Sequence, residues 1–234
     1  MYLGRLKPSH LRFVAGKVEL NRRVVWMEDA GLLGGIGMFF WTFAAYTLLP
    51  LGNIGVSSLP DESAILRVLQ HSLAERSGAY LFPGFRQSSN PSDKKAESGG
   101  DPAEIVARYP SGMLIYNAAG TRPFEMFRWL LVDFVIELAE VVIAVFLLGL
   151  TRLTTFAARV TFVLLIGVVV GIATNLSYWN WFGFPWNYTL GLMFIQVVGF
   201  LSAGLIAALV LRKQTFGAKT PRLFLQKLFW ERLP

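Results

Sequence analysis

Three carboxylates within one long apolar stretch are the residues of this sequence best suited to chemistry. Asp133, Glu137 and Glu140 interrupt the apolar run 129–150. In a helix with about 100° per residue they fall within a wedge of roughly 60°, so they share one face. If the run crosses a membrane, a charge near its middle costs on the order of 2.5–3.5 kcal/mol. These side chains are therefore expected to face protein or water rather than lipid.

The other long apolar runs contain no basic side chain that would neutralise these acids. Their neutral polar residues that could serve as partners are Thr42, Tyr46, Thr174, Asn175 and Gln196. We predict an intramembrane polar or proton site formed by Asp133, Glu137, Glu140 and Gln196. Three interpretations remain open. The acids are protonated and hydrogen-bond between helices. Alternatively they pair with basic or metal-bearing groups of another subunit, or they line a proton or cation path.

A second candidate site is the aromatic segment 178–188, which joins two of the apolar runs. Its Trp and Tyr rings are typical of the headgroup layer of a membrane because each is apolar with one polar edge. The candidate aromatic platform consists of Tyr178, Trp179, Trp181, Trp186 and Tyr188. The segment is interpreted as an aromatic belt around a tight helical hairpin, or as a stacking platform for a quinone or a lipid headgroup.

Other familiar catalytic chemistry is not recognisable in the sequence. There is no cysteine, which excludes disulfides, thiolate metal sites and iron–sulfur clusters. The two histidines, His10 and His71, lie outside the apolar runs, so haem held by a histidine within a membrane is not expected. No nucleophile–base pair and no phosphate-binding glycine loop is found. We therefore expect a protein that is not an enzyme and has no cofactor, although a bound lipid or quinone is possible.

The elements that position these residues are four apolar runs, each long enough to cross a bilayer as a helix. The chain is 54% apolar, above the roughly 45–50% of soluble domains. The predicted spans are 31–51, 129–150, 160–178 and 188–211. Small residues four positions apart, such as Gly31 with Gly35 and Gly167 with Gly171, indicate close helix contacts. The predicted fold class is an all-α membrane protein, a four-helix transmembrane bundle with a small α+β extracytoplasmic insertion between its first two helices.

The distribution of charge predicts the orientation of the chain. Fourteen basic and four acidic residues lie in 1–30, 151–159 and 212–234, whereas segment 52–128 carries eight of each. By the positive-inside bias, both termini are cytoplasmic and 52–128 lies outside. The expected location is a bacterial inner membrane. Because topology accounts for the net charge of +7, no nucleic-acid partner is expected. Anionic lipid headgroups are the expected partners of the tails.

The insertion is predicted to alternate helices and strands. A helix begins near Asp61 and is followed by a strand at 79–82. The polar segment 87–100 is typical of a flexible loop. Asp101 and Pro102 then favour a second helix to about residue 109, and 112–116 a second strand. A module of this size is only marginally stable when folded alone, so it is expected to pack against the helix ends or against a partner protein.

Both flanks combine basic and apolar residues. The N-terminal segment 1–30 is predicted to be an amphipathic segment on the cytoplasmic surface, and the basic tail 212–234 has a similar composition. Either flank would suit a lipid surface or a neighbouring subunit.

The segment Tyr178-Trp179-Asn180-Trp181-Phe182-Gly183-Phe184, leading into Tyr188-Thr189-Leu190, resembles a group of uncharacterised bacterial four-span membrane proteins. That group also has a helix like 61–75 before a strand like Tyr80-Leu81-Phe82-Pro83. The resemblance covers about residues 30–211, and the two basic tails are additions to it. It implies the architecture and no activity.

These observations favour an accessory or scaffolding subunit of a larger inner-membrane assembly, with other membrane subunits and lipids as partners. The alternative is a small proton- or cation-conducting transport protein that uses the carboxylate face of 129–150.

Overall fold

The structure is a computed structural model that describes residues 8–83 and 102–214. The predicted loop 87–100, residues 1–7 and the tail beyond Gln214 lie outside the described residues. The described chain is mostly helical and contains one small sheet. Its elements are α1 (Pro8–Thr47), α2 (Glu62–Leu73), β1 (Gly78–Phe82), α3 (Pro102–Arg108), β2 (Gly112–Tyr116), α4 (Met126–Leu150), α5 (Phe156–Gly171), α6 (Ser177–Phe182) and α7 (Trp186–Val210).

Three helical segments of the described chain are long and apolar enough to cross a membrane, so this is a membrane protein. They are Val24–Thr47, Phe156–Phe182 and Trp186–Val210. The last of the four predicted spans corresponds to α7, and the third to α5 with its continuation into α6. The helix α4 matches the second predicted span but carries three carboxylates, and it is not among these three segments.

The first predicted span has a different boundary in the structure. The helix α1 is continuous from Pro8, with no break near residue 31 between a surface segment and the span. The reason lies in packing, because Val24, Met27 and Ala30 are buried in the core of the helical layer. The apolar positions before residue 31 therefore face other helices, not only a membrane surface.

The long helices pack in the order α4, α1, α7, α5 rather than as a closed ring. The central helix α1 packs along both α4 and α7, and α5 packs on α7, whereas α4 meets α5 and α7 at few positions. Glycines allow the close approaches. An added Cβ at Gly35 would lie 2.8 Å from Leu138 of α4, and one at Gly167 would lie 2.5 Å from Phe200 of α7.

The helices α4 and α7 are close at one end and apart at the other, whereas α1 stays packed on α7. Every buried residue of α4 lies from Glu137 onward, and the core cluster gathers Val141, Val145 and Leu148 against Phe200 and other residues of α7. The earlier half of α4 has only exposed or partly buried side chains. A gap between α4 and α7 therefore opens toward the N-terminal end of α4.

The segment between α1 and α4 contains the two-stranded sheet. Strands β1 and β2 are antiparallel, with Gly78 opposite Tyr116 and Phe82 opposite Gly112. The Asp61 side chain caps α2 by accepting a hydrogen bond from the Ala64 amide. The Tyr116 hydroxyl donates to the Ala74 carbonyl at 2.9 Å, which fixes the sheet to the end of α2.

Candidate functional site

The gap between α4 and α7 contains a polar cavity of about 520 Å³, which we call the acidic cleft. The helix α1 forms its floor, α4 one wall, and α7 with the turn Ile172–Leu176 the other. Its polar lining consists of Thr42, Tyr46, Asp133, Glu137, Glu140, Thr174, Asn175 and Gln196, and its apolar lining of Met38, Ile136, Leu192 and Ile195. All four residues of the predicted polar site, together with their predicted partners, thus line one cavity.

Glu137 lies deepest among the three carboxylates of the acidic cleft. Its side chain is only 6% exposed, and Oε2 has no hydrogen-bond partner among the described residues. Thr42 of α1 lines the same cavity. Asp133 is exposed and Glu140 is partly buried. Along the face predicted from helical spacing, the carboxylates therefore change from exposed at Asp133 to buried at Glu137 and partly buried at Glu140.

The opposite wall is built by a local widening of the helix. Residues Ile172–Leu176 form a π-helical turn between α5 and α6, a feature often found at functional sites. Within it, Asn175 Nδ2 donates to the Gly171 carbonyl at 3.0 Å and to Thr174 Oγ1 at 2.8 Å. This turn directs two polar side chains toward α7.

Those two side chains lie within hydrogen-bond distance of the predicted partner on α7. Gln196 Oε1 is 3.2 Å from Thr174 Oγ1 and 3.4 Å from Asn175 Nδ2, while the nearer acceptor of the Thr174 hydroxyl is the Val170 carbonyl at 2.8 Å. Within the described residues Gln196 Nε2 makes no hydrogen bond, so its two N–H groups are free to donate to a group in the cleft. A carboxylate wall thus faces an amide wall across the cavity.

The floor of the cleft is tied to α7 by a separate bond. Trp41 Nε1 of α1 donates to the Ile195 carbonyl at 2.8 Å. The ring of Trp41 also meets Phe194 edge-on, with ring centroids 6.3 Å apart. These contacts hold α1 against α7, so the opening of the cleft depends on the position of α4.

The acidic cleft suits hydrogen bonding or the binding of a positive group better than metal ligation. Among the described residues no three His, Asp or Glu side chains are arranged to hold a metal ion. Three acids in a cavity that otherwise offers hydroxyl and amide groups leave an excess of negative charge. A positive group, a proton or a hydrogen-bond donor would compensate it.

The five residues of the candidate aromatic platform do not form one surface. Trp179 and Trp186 meet edge-on with centroids 5.2 Å apart. Tyr178 stacks on Phe184 at 5.4 Å, and Phe184 meets Tyr188 at 5.7 Å. Phe184 therefore links the two tyrosines, although its lack of a polar edge kept it out of the predicted set.

Trp181 stands apart from these pairs and is 78% exposed. It lines a recess of about 500 Å³ with Leu81 and Phe82 of β1 and Val106 of α3. One ring of the aromatic segment, Trp181, thus lies beside the two-stranded sheet, and the other rings pack together near the start of α7.

The fold and the cleft define an integral membrane protein that carries an open, acid-lined cavity between its helices. No protein-family model, no curated protein and no solved structure matches this chain. The assignment of this chain as a membrane protein therefore depends only on its own sequence and structure.

Proposed function

We propose that this chain is a non-catalytic accessory subunit of a larger assembly in a bacterial inner membrane, and that a neighbouring subunit covers its acidic cleft. The observation that supports this proposal is the position of the cleft. It opens between α4 and α7, and many of the exposed side chains of the long helices on either side are large and apolar.

The proposal includes α4 as a fourth span. Its 25 residues make a helix of about 37 Å, longer than the roughly 30 Å hydrocarbon core of a bilayer. It packs along α1, which is itself apolar enough to span. With four spans, the excess of basic residues before α1, between α4 and α5, and after α7 supports cytoplasmic termini. The segment with the two-stranded sheet is then periplasmic.

Lipid alone is a poor cover for the cleft. Ionised carboxylates near the middle of a bilayer are costly, and they normally face protein or water. A helix of another subunit that brings a basic or hydrogen-bonding side chain would neutralise Glu140, deeper in the cleft than Asp133, and supply an acceptor for Gln196. Removing one member of such a buried pair strongly weakens binding, so the interaction would also determine which partner binds.

A photocrosslinking amino acid at Leu192 tests this proposal in native membranes. Leu192 lines the acidic cleft, whereas Leu190, two residues earlier on α7, is 45% exposed and does not line it. We expect Leu192 to cross-link to one defined membrane protein, identified by mass spectrometry, and Leu190 to give no such product. Cross-linking to lipid alone from both positions would contradict the proposal.

The second candidate function is proton or cation conduction, and the unpaired Oε2 of Glu137 in the cleft favours it. Glu137→Gln with Glu140→Gln separates the two functions, because amides still hydrogen-bond but carry no titratable proton. A conducting protein in liposomes would lose its proton or cation flux with these substitutions. An accessory subunit would carry no flux in liposomes, either before or after these substitutions.

A further inference from the structure

A second polar recess adjoins the mouth of the acidic cleft, at the start of α4. We call it the outer recess, and its volume is about 500 Å³. Arg122, Arg128 and Trp129 line one part of it, and Val132, Asp133 and Ile136 line the other. Asp133 and Ile136 belong to both cavities, so the outer recess and the acidic cleft meet at Asp133. The outer recess therefore combines cationic, anionic and apolar groups.

The cationic part consists of the guanidinium groups of Arg122 and Arg128. Arg122 Cζ lies 5.2 Å from the centroid of the Trp129 ring, a cation–π contact that positions it and leaves its N–H groups available. In the described chain Arg122 forms no ion pair. Arg128 lies 3.6 Å from Glu125, but both side chains are well exposed, so this pair is weak. Two neighbouring guanidiniums are typical of phosphate recognition.

The anionic part is the Asp133 carboxylate. It is exposed, and no basic side chain of the described residues forms an ion pair with it. Asp133 lies five residues beyond Arg128 on the same helix, about 7.5 Å along its axis. A ligand that reaches from the arginines to Asp133 therefore needs a phosphate and an amine separated by a short linker.

The apolar part suits the chains of a lipid. Val132 and Ile136 are each 51% exposed and lie beside Asp133 on α4. Trp129, one turn nearer the start of the helix, is typical of the headgroup layer. An amphiphile that binds its headgroup in the outer recess would lay its chains along this apolar strip.

We propose that the outer recess binds the headgroup of an aminophospholipid, with its phosphate held by Arg122 and Arg128 and its primary ammonium held by Asp133. A choline headgroup lacks N–H groups and cannot donate a hydrogen bond to Asp133. A glycerol headgroup has no positive charge and would leave the carboxylate uncompensated. The site lies at the mouth of the acidic cleft and does not depend on the function proposed above.

The test is lipid retention by the full-length protein, purified in detergent and measured by native mass spectrometry. Phosphatidylethanolamine, phosphatidylcholine and phosphatidylglycerol with the same acyl chains are supplied in equal amounts. We expect at least about tenfold stronger retention of phosphatidylethanolamine, the size of one charge-assisted hydrogen bond. Asp133→Asn should reduce this preference to the level of phosphatidylglycerol. Retention of phosphatidylglycerol by this variant also shows that it is folded.

Two further variants separate the phosphate contact from general charge. Arg122→Gln with Arg128→Gln should weaken retention of all three lipids, whereas Arg108→Gln, an exposed arginine on α3 outside the outer recess, should change nothing. Equal retention of the three lipids by the unmodified protein would overturn the proposal. So would displacement of phosphatidylethanolamine by an equal concentration of free phosphoethanolamine, because the acyl chains would then contribute nothing.

Discussion

At the scale of single residues, one buried arginine explains how the closed end of the helical layer is held together. Arg159 of α5 is 1% exposed. Its Nε donates to the Leu153 carbonyl at 3.0 Å, and its two terminal nitrogens donate to the carbonyls of Leu211 and Gln214. Carbonyls at the end of a helix lack partners within it, and a cation there also offsets the helix dipole. One side chain thus joins the α4–α5 loop to the end of α7.

Arg159→Met tests this role because it keeps much of the side-chain volume and removes every donor. We expect the free energy of unfolding in detergent to fall by at least about 2 kcal/mol, since charge-assisted hydrogen bonds contribute about 1.5–3 kcal/mol each. The matched control is Arg152→Met, because Arg152 is exposed in the same loop. Equal loss of stability in both variants would show that the net charge of this end matters and the hydrogen bonds do not.

The acidic cleft was partly predictable at this scale. A shared face for Asp133, Glu137 and Glu140 follows from helical periodicity, and Gln196 was a candidate because amides are rare in apolar runs. The different exposure of the three acids was not predictable, because it depends on where α4 leaves α7. Arg122 and Arg128 were also missed as site residues, since Arg122 lies in the loop before α4, whose path has no periodic pattern.

At the scale of elements, glycines determine how closely the helices approach. Gly167 lies against Phe200, where an added Cβ would lie only 2.5 Å from the Phe200 Cβ. Gly171, one turn later on the same helix, has its nearest neighbour at 3.8 Å, which is ordinary contact. The two glycines form one small-residue motif in the sequence, yet only the first of them is at a tight crossing.

Gly167→Ala and Gly171→Ala are therefore predicted to differ. Both gain similar helix propensity, but overpacking at Gly167 typically costs about 1–3 kcal/mol. We expect Gly167→Ala to be less stable than Gly171→Ala by at least about 1 kcal/mol in thermal or denaturant unfolding in detergent. Equal stabilities would mean that α5 and α7 move apart at no cost, contrary to the packing described here.

The types and ends of helices and strands could be predicted from the sequence where turn-forming or capping residues mark them. The helix α2 begins beside Asp61, where a helix start was predicted, and β2 occupies 112–116, the predicted range. The π-helical turn Ile172–Leu176 was not predictable, because one extra residue in a helical turn leaves the apolar composition unchanged. The continuity of α1 was also missed, since the basic residues before Val24 suggested a separate surface segment although nothing there breaks a helix.

At the scale of the whole molecule, the four long helices form a layer in which α4 and α7 are close at one end, the closed end, and apart at the other, the open end. The closed end contains the apolar core cluster and Arg159, and the open end contains the acidic cleft and the outer recess. Three carboxylates would weaken close packing wherever they were buried without partners. Their placement where α4 diverges from α7 lets the core remain apolar and concentrates polar groups in one region.

If α4 crosses the membrane, its two ends lie on opposite sides of the membrane. Because the sequence contains no cysteine, single introduced cysteines can test this. Single cysteines introduced as Ser72→Cys and Thr154→Cys both replace exposed residues, the first at the end of α2 and the second between α4 and α5. If α4 spans, these positions lie on opposite sides. A membrane-impermeant maleimide should then label Ser72→Cys in intact spheroplasts, and Thr154→Cys only after permeabilisation. Labelling of both positions in intact spheroplasts would place them on the same side, so that α4 lies along the surface and its acids face water.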